Sequence, residues 1–271
     1  MSERSLVVTP GSGIPITARG RSIAYGPPPW RMHGRTLAIR YLLADPDEAR
    51  RHVPAGLEMD HDPVVRARFW DMRHDALRSL GDDGGPEVWT PFREAVIAFP
   101  VRRGDVAGDY PTYMYADDFA YTAMGREVMG WPVRDGDISV EPEPPGGPIA
   151  GTTLAAGLVR GGVELMHIDM TLTGDHRADT DTQPPRWLAT KIIPHATRPV
   201  ADVAQLLQTG PERIHSRTIW SAQASLELGE GVGDELHHLR PRQILAAEYW
   251  NEVDLTIGWA TILDELGDSP W

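Results

Sequence analysis

Arginine and glutamate recur inside apolar, strand-like stretches of this chain. Arg35 sits in "MHGRTLAIRY", Glu94 in "FREAVIAFPV", and Arg126, Glu127 and Arg134 in "GREVMGWPVRDG". A guanidinium presents a planar fork that fits a carboxylate. A glutamate pressed into apolar surroundings has its pKa raised toward neutrality, where it can move protons. The same residue types also make structural ion pairs, and type alone leaves both readings open. Other chemistries have less support. His167 and Asp169 in "HID" share a strand face and could reach one ion, but spacing supplies no third ligand. His237 and His238 are adjacent and would point apart on a strand. There is no G-x-S-x-G elbow, and "TPGSGIP" lacks the lysine and spacing of a phosphate loop.

The elements that must position these groups are short alternating runs separated by 27 Gly and 24 Pro. "TLAIRYLLA" (36–44) reads as a strand, followed by a short helix capped by Asp45 with Pro46 at its first position. Further strands are expected at 64–70, 93–101, 110–115 and 221–228, and "HIDMTLTG" places Ile168, Met170 and Leu172 on one face. "DDFAYTAMGRE" reads as a helix capped by Asp117 or Asp118. "PVADVAQLLQ" (199–208) is read as a second helix. "NEVDLTIGWATILDEL" begins with alternation and is read as ending in a helix. There is no βαβ rhythm. The expectation is one mostly antiparallel α+β domain over 1–271, mostly β, with a curved or closed sheet. Its tails, about 1–28 and 268–271, are expected to be loosely held, and "LGDDGGPE" (80–87) and "EPEPPGGP" (141–148) to be loops.

Composition narrows the function classes. A net charge of -13 disfavours nucleic acid and anionic membrane surfaces as partners. Mean hydropathy of -0.33 and the lack of a long apolar run argue against a membrane span. The start carries no basic-then-apolar signal, and without cysteine a reducing cytoplasm is the simplest location. Of 26 Lys+Arg only Lys191 is lysine, a bias that exchanges arginine for lysine but does not produce valine.

The order of motifs over about residues 29–266 resembles the acetoacetate decarboxylase-like superfamily. The most specific match is "GDYPTYMYADDFAYTAMGREVMGWPVR", similar to the family's "GDY…MYLDN…GRE…PKK" run. "FREAVIAFPV", "MHGRTLAIRYLLADPDEARRHVPAGL", "KIIPH" and "EVDLTIGWATILDEL" follow the family's order around it. In that family the first lysine of the PKK pair forms an imine with a β-keto acid, and the second lowers its pKa. Here the pair is Val133 and Arg134, and valine cannot form an imine. The family's acidic residue in the strand matched by "FREAVIAFPV" maps to Glu94 and its first-strand arginine to Arg35. Another acidic position falls on Arg68. Lys191 lies where relatives that keep the PKK pair also have a lysine, so it reads as a residue in its usual place rather than a relocated nucleophile.

The resemblance therefore implies a cofactor- and metal-independent enzyme, lyase-like, acting without an imine on a small keto or hydroxy acid or a polyketide-like metabolite of secondary metabolism. Arg35 and Arg134 would hold a carboxylate or enolate oxygen, and Glu94 would move a proton. Dehydration, hydration, tautomerisation and cyclisation all fit. Val133, Met114, Tyr115, Trp131 and Arg68 would line the substrate pocket. Two other readings remain open: a binding or structural homologue without chemistry, and a decarboxylase using Lys191. Relatives form symmetric oligomers, which implies a homo-oligomer.

Overall fold

Alternation of apolar and polar side chains dominates the chain, and a computed structural model, which describes residues 25–75 and 88–266, is correspondingly built of strands. In chain order they are β1 (Trp30–Leu43), β2 (Val65–His74), β3 (Thr90–Arg103), β4 (Val106–Ala116), β5 (Val133–Asp135), β6 (Asp137–Val140) and β7 (Thr153–Arg160). There follow β8 (Val163–Thr182), β9 (Trp187–Pro194), β10 (Ala201–Thr209), β11 (Ile214–Leu228), β12 (Pro241–Ile257) and β13 (Thr261–Glu265). They form one sheet in the order β13-β10-β9-β4-β3-β2-β1-β12-β11-β8-β7-β6, with β5 beside β4. Pairing is antiparallel except at β4–β5 and at the single β4–β9 bridge. The path has two ends, so among the described residues hydrogen bonds do not close it into the barrel that the sequence left open as an alternative. The loop expected at 80–87 lies outside the described residues, as do 1–24 and 267–271.

The period of two sorts side chains to two faces, each with its own core. On β2, Val65, Ala67 and Phe69 join one cluster, while Trp70 and Met72 join the other. On β3, Ala95, Ile97 and Phe99 oppose Phe92 and Val96; on β4, Tyr113 and Tyr115 oppose Met114 and Ala116. We call the side carrying Trp70, Phe92 and Met114 the tryptophan face.

Local signals held where capping chemistry was explicit. Asp45 accepts from Asp47 N–H at the start of the 3-10 turn Pro46–Arg51. Asp118 caps α1 (Phe119–Met124), its carboxylate accepting from Tyr121 N–H at 2.6 Å. A five-residue π turn, Gly125–Met129, then ends at Gly130 with φ 69°. A Cβ at Gly130 would lie 2.7 Å from Lys191 Cβ and 2.8 Å from Lys191 N, so only glycine lets the chain turn here into β5.

Two helix expectations are overturned. The segment read as a helix at 199–208 is β10, paired with β9 on one side and β13 on the other. The end of "NEVDLTIGWATILDEL" is β13, after a break at Gly258–Ala260. Both are short apolar runs whose periodicity fits either state; two-sided backbone pairing decides them in favour of strand. No described helix is long and apolar enough to cross a membrane.

Candidate functional site

Glu94 is the buried carboxyl of β3, on the tryptophan face between Phe92 and Val96. It is 1% exposed. Tyr121 Oη donates to Glu94 Oε2, while Glu94 Oε1 is buried without a hydrogen-bond partner. Burial pushes the Glu94 pKa from 4.5 up to about 7, against the pull of the Tyr121 hydrogen bond and the Arg68 charge. Tyr121 is held from two sides: its amide bonds the Asp118 cap, and its ring stacks on Phe92 at 4.1 Å between centroids. Its phenol is pushed well above 10 by burial and by Glu94, so it stays a donor at any working pH.

Arg68 projects from β2 to the same face, two residues before Trp70, and its guanidinium carbon lies 5.7 Å from the Trp70 ring centroid. It makes no ion pair or hydrogen bond with any described residue. Burial lowers its pKa, a cost partly offset by the fields of Asp109, Glu248 and Glu94. An unpaired, partly buried guanidinium is costly to keep, and an anionic ligand would relieve that cost.

Both groups border a narrow, nearly filled cleft whose cavity volume is about 30 Å³. Strand residues Met32, Trp70, Met72 and Phe92 form its floor. Its roof is Pro184 and Pro185 from the β8–β9 connection and Pro211 from the β10–β11 connection. Arg186 ties those connections together, donating through Nε to Thr209 O at 2.9 Å and through a terminal nitrogen to Glu212 at 2.9 Å. Trp187 closes one side, edge-on to Trp131 at 5.0 Å, and Trp131 Nε1 donates to Thr209 Oγ1 at 2.8 Å.

The sequence grouped Glu94 with Arg35 and Arg134, and the structure separates them. β5 pairs with β4 so that Met114 faces Val133 and Tyr115 faces Arg134. Val133 and Met114 therefore belong to the tryptophan face, and Arg134 and Tyr115 to the other. There Arg134 donates to Asp234 and to Gly233 O, each at 2.6 Å, and Asp234 also accepts from Tyr115 and Arg160. Arg35 is likewise engaged away from Glu94, with Asp71 at 2.7 Å and Glu141 O at 2.7 Å. Both arginines are thus engaged in ion pairs away from Glu94.

Val133 is fully buried and lies in the apolar cluster with Met114, Met129 and Trp131. None of these four borders the cleft. An open surface pocket is lined by Val133 and Arg134 together with Arg126 and Arg160, but Glu94 does not border it. Among the described residues Glu94 and Arg134 therefore do not share the cavity beside Val133 that the sequence reading required. Lys191 lies against the Gly130 turn and also outside the cleft; burial lowers its pKa, with Glu127 pulling the other way. Arg126 donates to Val133 O at 3.1 Å, and Glu127 accepts from Tyr25.

The metal reading has no support among the described residues. His167 is in ion-pair range of Glu164 and Asp169, at 3.1 and 3.4 Å, and no group of three ligating side chains forms a metal cage. His237 and His238 sit on a 3-10 turn rather than a strand, with ring centroids 3.9 Å apart. What the sequence reading missed was Tyr121, Met72, Phe92 and the proline roof. Alternation from Arg68 and Glu94 would have found Trp70, Met72 and Phe92; nothing local marks the prolines, which come from distant connections.

A family model described as "Acetoacetate decarboxylase (ADC)" matches residues 13–266. The acetoacetate decarboxylase of Paraburkholderia phytofirmans is 27% identical over 269 residues, covering 97% of this chain and 96% of that one. Acetoacetate decarboxylase 3 of Mesorhizobium japonicum is 29% identical over 252 residues, 90% and 89% of the two chains. Among solved structures, an acetoacetate decarboxylase-like enzyme from Sphingomonas wittichii superposes with a TM-score of 0.78 at 21% identity, over 94% of this chain and all of that one. The enduracididine biosynthesis enzyme MppR complexed with pyruvate superposes with a TM-score of 0.75 at 21% identity, over 94% and 98%. These structural likenesses show a shared fold.

Proposed function

The chain belongs to the acetoacetate decarboxylase family, and from that premise we propose that it is an imine-independent acid–base enzyme acting on a small keto acid. The observation that carries this reading is the pairing, in one apolar cleft, of Glu94, whose Oε1 is buried without a hydrogen-bond partner, with Arg68, which has no ion-pair or hydrogen-bond partner among the described residues. Arg68 takes the role first given to Arg35 and Arg134. The pyruvate complex of the neighbouring MppR supports a keto acid as ligand class. Val133 stands where the family's reacting lysine is expected, and Lys191 lies outside the cleft.

The chemistry follows from the two groups. Ionised Glu94 takes a proton from the carbon next to the ketone through Oε1. The C–H electrons move into the carbon–carbon bond and the ketone electrons onto oxygen, giving an enolate. The Arg68 guanidinium stabilises that developing charge, or holds the neighbouring carboxylate, in surroundings that strengthen the interaction. Returning the proton to carbon completes a tautomerisation. Expelling a β-hydroxyl with that proton completes a dehydration, and attack of the enolate carbon on a carbonyl of the same molecule a cyclisation. Tyr121 holds Glu94 through Oε2, which leaves Oε1 free of a protein partner for the proton.

The test is solvent exchange. In deuterium oxide, pyruvate or 2-oxobutanoate should lose its C3 proton signals at a rate set by enzyme concentration, read by NMR. Glu94→Gln should abolish exchange, and Arg68→Met should slow it by about 100-fold, the loss of one charged hydrogen bond. The packed environment of Val133 favours a second reading, a keto-acid-binding protein without turnover. Binding with no exchange above buffer would establish that reading and reject the catalytic one.

A further inference from the structure

The open pocket beside Arg134 is a hollow of about 560 Å³, and three elements each deliver an arginine to it. Arg126 comes from the π turn, Arg134 from β5 and Arg160 from the end of β7. Among the described residues Asp135 is the one acidic side chain of its lining. Asp234 sits behind the arginines, its side chain 2% exposed, and accepts from Arg134 at 2.6 Å and Arg160 at 2.8 Å. Asp135 stands 3.6 Å from Arg160, with its own side chain in solvent. Three guanidiniums thus meet two carboxylates, leaving a local positive excess on a chain of net charge -13. Donors are in excess too, since each guanidinium carries five N–H groups. Arg126 bonds Val133 O at 3.1 Å, and Arg134 reaches Gly233 O and Asp234 through one terminal nitrogen. Arg160 Nε is buried with no hydrogen-bond partner. A surplus cation and spare donors are what an oxyanion would use.

We infer that this hollow is a second ligand site, taking a phosphate group, and that it is separate from the Arg68–Glu94 cleft. A carboxylate has two oxygens and one charge, enough for a single guanidinium fork. A phosphate has three acceptor oxygens and nearly two charges, which suits donors from three elements. Arg126 and Arg160 bind its oxygens, while Arg134 stays on Asp234 and contributes field. The Thr122 hydroxyl, on the same lining, can donate to a further oxygen. Val232, 99% exposed on the rim beside Gly233, offers an apolar flank to the organic part of a phosphate ester.

Calorimetric titration with inorganic phosphate, propyl phosphate and acetate, at one fixed ionic strength, tests this. Both phosphates should bind at least about tenfold tighter than acetate. Tighter binding of propyl phosphate assigns the site to an ester, and equal binding of the two assigns it to the free anion. Two exposed positions then move affinity in opposite directions. Arg126→Gln removes a charged donor and should weaken phosphate by about tenfold. Asp135→Asn removes the competing carboxylate and should tighten it by about threefold. Far-ultraviolet circular dichroism checks that both variants keep the fold. A purely structural role for Arg126 would leave phosphate affinity unmoved. Acetate bound as tightly as phosphate, or an affinity unchanged in both variants, would overturn the inference, and neither result bears on the Arg68–Glu94 cleft.

Discussion

At the scale of single residues, the site depends on a carboxyl that burial keeps near neutrality. If Glu94 is the base, kcat/KM for proton exchange should rise with pH and level off above about 7, the value to which its pKa is pushed. The same shift has an opposite sign for stability. Below pH 4.5 the group is protonated in folded and unfolded chains alike. Between 4.5 and 7 the unfolded chain releases its proton first, so stability falls as pH rises, by about 3 kcal/mol in all. Glu94→Gln should therefore be more stable than wild type at pH 8 and equal to it at pH 4, as measured by urea unfolding at both. Val133→Lys should do the reverse of restoring family chemistry. It would bury an ammonium among Met114, Met129 and Trp131 and cost about 3 kcal/mol or more in the same assay. Glu94 and Arg68 could be picked out in the sequence because motif order reaches single positions. That Arg68 is unpaired and Arg134 is neutralised could not, because Asp234 lies 100 residues from Arg134 in the chain.

At the scale of elements, caps and turns were readable and partners were not. Asp45, Pro46 and Asp118 act within a few residues of themselves, so their chemistry is local. β10 was misread because AQLLQ carries good helix formers and its strand neighbours are specified elsewhere. The π turn and Gly130 form the element that delivers β5. Gly130→Ala should cost about 1–3 kcal/mol, since it adds a left-handed backbone penalty to contacts below 3 Å with Lys191. Trp131 and Trp187 are edge-on beside this turn, so near-ultraviolet circular dichroism should show the loosened packing as well as the lower unfolding midpoint.

At the scale of the whole molecule, one mostly antiparallel sheet with a core on each face was foreseeable from alternation, turn residues and family order. Where its pairing path ends was not, because closure depends on curvature summed over thirteen strands. Chain-wide composition makes its own prediction. Lys191 is the only side-chain amine, and it lies outside the cleft. Borohydride with pyruvate should leave no reduced adduct on it by peptide mass spectrometry; an adduct there would revive the decarboxylase reading.

The three-residue strand β5 carries a further consequence. Its frame against β4 shows Val133 to the tryptophan face and Arg134 to the other. A strand's faces trade places with every single-residue step. A gene shortened by one codon between Gly130 and Val133 would bring the arginine to the side of Glu94 without altering the letters that follow. Which cation meets the substrate here is thus inherited as a count as much as a spelling.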